Sequence, residues 1–208
     1  MKKLPCLAGA RHGIPLLSAG ARLLAAGMLV ATPFLAAGQA QFQSSQQQPE
    51  SVVVGITNAG QFYDIIVDGP VEFKASQPIQ VAQFANGAAS DHGVAPFEGD
   101  PCEILLPPAG HYLCTNVVYT LPNDGVTGGF DRNFLNIIVA QSAISNTVVD
   151  GSVVAATNFV VIGTSGYCGA QVPVTNGVHT VRSSQPVWVE AYGWGSWDAY
   201  GYCGGIVK

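Results

Sequence analysis

The residues that could carry out catalysis are few, and their spacing matches no catalytic motif. The histidines His92, His111 and His179 are scattered, and the chain has neither the HExxH nor the CxxC spacing of a zinc site. We expect His179 to be a strand residue that faces water. Ser165 lies in Gly-Thr-Ser-Gly, which lacks the GxSxG pattern of a nucleophile elbow. We therefore predict that the protein is not an enzyme and holds no cofactor.

Two weaker possibilities involve acidic and amide side chains, namely a glycosidase site and a calcium site. Glu190 and Asp198 could flank a glycosidic bond, although a chain with 13 acidic residues contains many such pairs. Asp124, Asp131 and Asn133 surround a glycine-rich stretch and could bind calcium, but they lack the spacing of an EF-hand. A solvated hairpin loop explains this second group better, so we predict no metal site.

The cysteines indicate disulfide bonds. Cys102, Cys114, Cys168 and Cys203 are an even set in the region that follows the N-terminal apolar run, and such a set allows three pairings. Pro-Pro-Ala-Gly at 107–110 favours a reversal of the chain. A hairpin there would place Cys102 opposite Cys114, and exclusion would then pair Cys168 with Cys203.

The N-terminus has the layout of an export signal. Basic residues come before an apolar run, residues 23–37, which ends in Gly-Gln-Ala. This layout is typical of a secretory signal peptide, which we place at residues 1–40, and the run is shorter than the ~20 residues of a spanning helix. A retained membrane anchor is the alternative. Residues 41–50 are rich in glutamine and are interpreted as a flexible leader.

Charge argues against nucleic acid as a partner. Without residues 1–40 the chain keeps four basic and 13 acidic residues, a net charge of −9. Phosphate backbones and anionic membranes attract clustered Lys and Arg, so we expect no nucleic-acid binding and no membrane insertion after cleavage. The sequence has no Asn-x-Ser/Thr site, which favours a bacterial source. The protein would then be secreted or at the cell surface, in the periplasm or on the outer surface.

Short apolar, β-branched runs fill the rest of the chain. They include FYDIIV, NVVYTL and FLNIIVA, and turn dipeptides such as Asp68-Gly69 and Asn176-Gly177 separate them. Short runs with this punctuation predict an all-β fold of antiparallel, sandwich-like modules. No stretch shows the period of an amphipathic helix.

An internal repeat divides the chain. With a shift of 108 residues, positions 52–87 align without a gap on positions 160–195. Pro78 and Pro186 belong to a shared Ser-Gln-Pro and are expected where strands begin. Val81 and Val189, three residues later, should face the core in both copies. The front half of the second copy has no counterpart in the first. We therefore assign residues 51–100 to a partial first β unit that packs on a complete second unit, residues 101–208.

The second copy ends in an aromatic, glycine-rich segment, YGWGSWDAYGYCGG, at 192–205. Tyr192 aligns with Phe84 at the end of a strand, and we expect it to be partly buried. The first copy has no ring at the positions aligned with Trp194 and Trp197, which makes these two rings candidates for a surface. The alternative is a loop that closes the fold and is held by Cys203. The predicted binding residues are Trp194, Trp197, Tyr200 and Tyr202.

Four stretches, in order, resemble the N-terminal domain of the IgG Fc-binding protein family. They are GDPCEILLPPAGHYL at 99–113, FLNIIVAQSAISNTVVDGSVV at 134–154, GTSGYCGAQVPVTNGVHTV at 163–181 and the closing segment at 192–205. The resemblance covers residues 51–205 and implies an extracellular β-sandwich-like binding module without known catalysis. The chain departs from the family in its partial first unit and in the cysteines at 168 and 203.

Two function classes follow. The first is an exported, non-enzymatic recognition or adhesion module that binds an extracellular protein or glycan at the cell surface through aromatic rings. The second is a structural subunit of a cell-surface or matrix assembly, which would self-associate through the sheet edges of the partial first unit. Concentration-dependent polymers would favour the second class.

Overall fold

The computed structural model describes residues 6–8, 21–26, 40–42, 51–54, 61–67, 70–75, 78–85, 99–123 and 129–206. In this part of the chain the regular elements are β-strands and short 3-10 helices, so the predicted all-β class is confirmed. The strands form three sheets, which are antiparallel apart from two parallel strand pairs. The 3-10 helices are Ala109–His111, Gln141–Asn146 and Ala156–Asn158.

Two smaller sheets contain the strands before residue 107. The first sheet has the order β1 (Cys6–Ala8), β6 (Val71–Ala75), β4 (Ser51–Val54). The second has the order β3 (Ala40–Phe42), β5 (Phe62–Val67), β2 (Ala21–Ala26), β7 (Gln80–Phe84), β8 (Glu103–Leu106). The predicted signal peptide and leader lie outside the described residues except for β1, β2 and β3, and both remain predictions.

One larger sheet contains all the later strands. They are β9 (Leu113–Thr120), β10 (Phe130–Ala140), β11 (Val148–Val149), β12 (Ser152–Val153), β13 (Phe159–Val161), β14 (Tyr167–Val174), β15 (Gly177–Gly195) and β16 (Asp198–Cys203). The apolar runs recognised in the sequence form these strands, because alternate β-branched residues suit a sheet with one buried face. The sheet is built around β15, whose two halves have different neighbours.

The sheet curls at the middle of β15. Its first half pairs with β9 and β11, and its second half pairs with β10 and β16. The register of β15 with β9 is irregular between Arg182 and Val187, where the predicted Ser-Gln-Pro corner lies. Pro78 precedes β7 as predicted, but Pro186 lies inside β15 and not at the start of a strand. It is tolerated there because a bulge leaves a residue out of the ladder.

Two apolar cores support this arrangement. In the first, side chains of the smaller sheets, including Phe73, Val81 and Leu106, pack against Ile138 and Trp188 of the large sheet. The second core lies on the opposite face of the large sheet and is lined by residues 135, 137, 181, 187 and 189, among others. The division into units at residue 100 remains a prediction. β8 follows residue 100, yet it pairs with β7 and belongs to a smaller sheet.

The proposed repeat predicts that two valines are buried at equivalent positions. Val81 and Val189 are both 0% exposed, as predicted. Phe73 and Val181, which are also aligned by the shift of 108 residues, are buried as well. Burial of both aligned pairs is what a shared strand register requires.

The four predicted disulfide cysteines are free thiols in the structure. The expected hairpin at 107–110 does not form, because β8 pairs with β7 and β9 pairs with β15, so Cys102 and Cys114 do not face each other. Cys168 lies on β14 and Cys203 on β16, and β10 and β15 run between these strands. Three strand spacings are about 14 Å along the sheet, whereas a disulfide needs Cα atoms within about 7 Å. The structure therefore forms neither predicted bridge.

Candidate functional site

The closing segment is a tight β-hairpin. β15 and β16 pair from Glu190–Cys203 to Gly195–Asp198, which leaves Ser196 and Trp197 as the two-residue turn. The strand of the second copy therefore continues to Gly195, beyond the end that the sequence suggested near residue 191. This longer strand decides where each ring points.

Trp194 is buried, so its predicted place on the surface was wrong. It is 9% exposed and stacks on Phe134 with ring centroids 4.9 Å apart, while Tyr192 stacks on the same two rings at 5.6 Å. The physical reason is strand parity, since alternate residues of a strand share one face. Trp194 therefore lies on the same face of β15 as Trp188 and Tyr192. With Tyr192 and Phe134 it forms a stack of three rings.

Tyr192 is partly buried, as predicted. Its hydroxyl accepts a hydrogen bond from Gln171 Nε2 and donates to Asn136 Oδ1 at 3.3 Å. Burial raises the pKa of Tyr192 well above its ordinary value, and the nearby Glu190 raises it further. The residue is a structural link between β15, β10 and β14.

Tyr200 and Tyr202 close the sheet by capping the outer edge of β9. The Tyr202 hydroxyl accepts from the Tyr119 N–H at 2.6 Å and donates to the Tyr119 carbonyl at 2.7 Å. The Tyr200 hydroxyl accepts from the Leu121 N–H at 3.1 Å and donates to Asn133 Oδ1 at 2.5 Å. Partial burial raises the pKa of Tyr200 to about 12. Tyr202 is 38% exposed, so part of its ring still faces solvent.

Trp197 is the most exposed ring of the hairpin. It is 58% exposed and has φ of +58° at the second turn position. The left-handed region favours glycine, and a bulky side chain there is uncommon and strained. Trp197 and Tyr202 do not form one patch, because Tyr202 lies five positions after Trp197 along an extended strand, about 17 Å at ~3.4 Å per residue.

Glycines in this segment allow other groups to come close. A Cβ added at Gly195 would collide with the backbone carbonyl of Gly129, and one at Gly201 would collide with the side chain of Ile104. The many glycines of the closing segment therefore serve tight packing of β15 and β16 against their neighbours.

Glu190 is a carboxyl buried in the interior of the protein. It is 1% exposed, and Gln83 Nε2 of β7 lies 3.4 Å from its Oε1. Burial raises the pKa of Glu190 to about 8, and the Asn136 amide opposes that rise. Neither Asn136 Nδ2 nor Glu190 Oε2 reaches full hydrogen-bond geometry. At neutral pH the carboxyl is therefore mostly protonated. Its contact with Gln83 links β15 of the large sheet to β7 of a smaller sheet.

The carboxylate pair considered from the sequence is not a glycosidase site. Cys203 faces Glu190, and Asp198 begins the same strand five residues earlier, about 17 Å away. Catalytic carboxyls of glycosidases lie within about 9.5 Å of each other. Glu190 is also inaccessible to a substrate.

His179 is buried at 5% exposure, so the expectation that it faces water was wrong. Its Nδ1 lies 2.7 Å from Asp150 Oδ2, and its Nε2 lies 2.8 Å from the Thr175 carbonyl and 3.1 Å from Thr120 Oγ1. Thr120 is 0% exposed, so this Asp-His-Thr arrangement offers no substrate access. It connects the end of β9 to the turn before β15.

In the part of the chain that the structure describes, no three His, Cys, Asp or Glu side chains cluster as metal ligands. Asp124 and the Asp131 side chain lie outside this part, and the Asn133 side chain is bonded to Leu121 and Tyr200. No helix in the described segments is long and apolar enough to cross a membrane.

One surface, formed by β9 and the first half of β15, was not predicted from the sequence. Val117, Tyr119 and Val178 are 64%, 47% and 66% exposed, and Val178 faces Tyr119 across β15 and β9. Alternation in Asn-Val-Val-Tyr-Thr could have predicted that Val117 and Tyr119 share one face. It could not have predicted that this face is open to solvent.

A comparison with protein-family models matches residues 33–193 to the IgGFc binding protein family. No curated protein and no solved structure matches the chain. The matched range includes most of the described strands and ends within β15, just before the turn that carries Trp197. This result confirms the resemblance seen in the sequence motifs, so the chain belongs to the IgGFc binding protein family, a family of extracellular binding modules.

Proposed function

We propose that this protein is an exported recognition module that binds an extracellular protein or glycan through Trp197 at the tip of the β15–β16 hairpin. Secretion or cell-surface placement and adhesion are parts of this proposal. So is the absence of enzymatic activity in the protein as a whole. Family membership supports the general class, and the geometry of Trp197 supports the contact residue.

The single observation that carries the proposal is the strained, exposed position of Trp197. Residues held at positive φ cost roughly 1–3 kcal/mol, and they cluster at binding and catalytic sites. Glycine would relieve this strain at the turn, yet the chain has its most exposed tryptophan there. The residues that contribute most of the binding energy of an interface are enriched in large aromatic residues such as tryptophan.

The other rings of the hairpin make contacts within the protein and hold the turn that carries Trp197 in place. Trp194 is stacked beneath the surface, and the hydroxyls of Tyr200 and Tyr202 are bonded to the end of β9. The hairpin is therefore held on both strands, which lowers the ordering cost when a partner binds. A rigid hairpin whose most exposed ring is Trp197 fits a protein or glycan surface.

Binding of IgG Fc fragments and of a printed glycan array tests the proposal. Trp197→Gly should weaken every interaction of the wild-type protein by about 30-fold or more, because central aromatic contacts contribute about 2 kcal/mol or more. Its unfolding free energy should equal the wild-type value or exceed it by up to about 3 kcal/mol, because glycine relieves the strain of the positive φ. Ser196→Gly is the matched control, since it changes the same turn and keeps the ring.

The alternatives give different results. Binding that survives Trp197→Gly unchanged, or is lost equally in Ser196→Gly, would contradict the assignment of the ring. A wild-type protein that binds neither probe but polymerises on concentration would favour the structural-subunit class.

A further inference from the structure

The turn that carries Trp197 has two carboxylates close to it. Asp198 directly follows Trp197 and is half-buried. Asp100 reaches the same end of the hairpin from another part of the chain, because the Gly99 N–H donates to the Gly195 carbonyl at 2.9 Å. Asp100 is exposed. The end of the hairpin therefore combines an exposed aromatic ring with acidic side chains from two separate segments.

The negative charge at this turn is not balanced locally. Within the described residues, neither Asp198 nor Asp100 takes part in an ion pair. β10 pairs with β15 up to this turn and contributes one basic residue, Arg132, which is half-buried opposite Trp194. Arg132 offsets at most one of the two negative charges. The electrostatic potential at the turn therefore attracts cations.

An arginine side chain matches both features of the turn. The face of a tryptophan ring attracts a cation that lies within about 6 Å of its centre. The guanidinium group is planar, so it can stack on such a ring while its N–H groups donate to a neighbouring carboxylate. Neutral and acidic sugars offer a cation to neither the ring nor the carboxylates.

We propose that the turn binds an arginine side chain on the surface of an extracellular protein. The guanidinium group stacks on Trp197, and Asp198 and Asp100 supply the opposite charge. This inference rests on the proposed function, since it names the partner of the same ring. It narrows the class of partner from a protein or glycan to a protein that presents arginine. Arginine and tryptophan are both enriched among the residues that dominate interface energies.

The charge on the turn predicts how binding depends on salt. Opposite charges speed the encounter of two partners, and salt screens this attraction. Binding to arginine should therefore weaken as salt is added. Stacking of the ring on a neutral sugar involves no opposite charge, so it should not weaken in this way.

Immobilised synthetic peptides test the inference with the full chain. One peptide carries arginine in a glycine and serine background, and its control carries citrulline, which has a similar shape without the charge. Biolayer interferometry is run at about 10 mM and about 1 M salt, where the Debye length is about 30 Å and about 3 Å. Wild type should bind the arginine peptide at low salt, bind the citrulline peptide about 10-fold or more weakly, and lose most binding at high salt.

Four substitutions assign the effect to the turn. Asp198→Asn and Asp100→Asn should each weaken arginine binding about 2- to 5-fold at low salt and hardly at all at high salt, as for exposed ion pairs. Asp198→Glu keeps the charge and should bind like wild type. Asp64→Asn is the matched control for net charge, because it removes one half-buried carboxylate from β5 of a smaller sheet and should have no effect.

Trp197→Gly should weaken binding of the arginine peptide about 10-fold. Arginine peptides that bind equally to Trp197→Gly and wild type would contradict both this inference and the proposed function. Binding of IgG Fc or of a glycan that needs Trp197 but is unchanged in Asp198→Asn and Asp100→Asn would overturn this inference and leave the proposed function standing.

Three other outcomes would also overturn the inference. They are a wild-type chain that does not bind the arginine peptide, equal binding of the arginine and citrulline peptides, and equal losses in Asp64→Asn and Asp198→Asn. Urea unfolding checks that each variant is folded. If Asp198→Asn lowers the unfolding midpoint, Asp100→Asn replaces it, because Asp100 lies outside the hairpin strands.

Discussion

Replacing Glu190 with glutamine should stabilise the protein at neutral pH. Burial raises the pKa of Glu190 from an ordinary value of 4.5 to about 8. The folded protein therefore holds a proton that the unfolded chain releases. Glutamine keeps the shape of the neutral carboxyl and its contact with Gln83, but it has no proton to lose.

The size of the effect follows from the pH interval. Because the folded pKa is the higher one, stability is fully present below about pH 4.5, falls as the pH rises towards 8, and is level above that. At pH 7 the interval above the ordinary pKa is about 2.5 pH units, and each unit corresponds to about 1.4 kcal/mol. Glu190→Gln should thus raise the free energy of unfolding by about 3 kcal/mol at pH 7 and leave it nearly unchanged at pH 4.

Urea unfolding at several pH values measures this difference. The midpoint should shift while the denaturant slope stays constant, as for a change in stability alone. Glu103→Gln is the control, because Glu103 is an exposed glutamate on β8 and should show no comparable gain. Equal stability of Glu190→Gln and wild type at pH 7, or a gain that persists undiminished at pH 4, would refute the reasoning.

Three further changes test the β15–β16 hairpin and the turn that contains Asp150. Trp194→Ala should cost about 3–5 kcal/mol in urea unfolding, as for a buried aromatic, and a loss under 1 kcal/mol would contradict the stack. Gly195→Ala should cost about 1–3 kcal/mol because its Cβ would meet backbone, whereas Gly110→Ala, with open space around it, should be neutral. Asp150 has a pKa that partial burial would raise but that hydrogen bonds from His179 and Thr180 lower overall. Its stabilising effect is therefore present above pH 3.8 and lost as the pH falls through the lowered pKa, so Asp150→Asn should be less stable than wild type at pH 6 but not at pH 2.

The local pattern was sufficient to predict the fold class and the buried face of the repeat. Apolar β-branched runs between Asn-Gly and Asp-Gly turns led to strands, and the gap-free shift led to the burial of Val81 and Val189. Both features depend on neighbours in sequence and on strand period, which a single chain displays directly.

The site was predicted less well because its geometry is non-local. Trp194 was predicted on the surface because the aligned residue of the first copy, Asn86, has no ring, whereas β15 continues to Gly195 and its alternation puts Trp194 on the buried face. Tyr200 and Tyr202 cap β9 only because the sheet curls at Arg182–Val187, which brings distant strands together. The cysteine pairing failed for the same reason, since it assumed a hairpin between strands that take other partners.

The central claim, that Trp197 is the contact ring, is tested most directly by fluorine NMR of protein labelled with 5-fluorotryptophan. The chain has three tryptophans, and Trp188, Trp194 and Trp197 are 2%, 9% and 58% exposed. On addition of IgG Fc or of a glycan selected on the array, the Trp197 resonance should shift or broaden while the other two stay in place. A response of Trp188 or Trp194 with Trp197 unchanged would contradict the account.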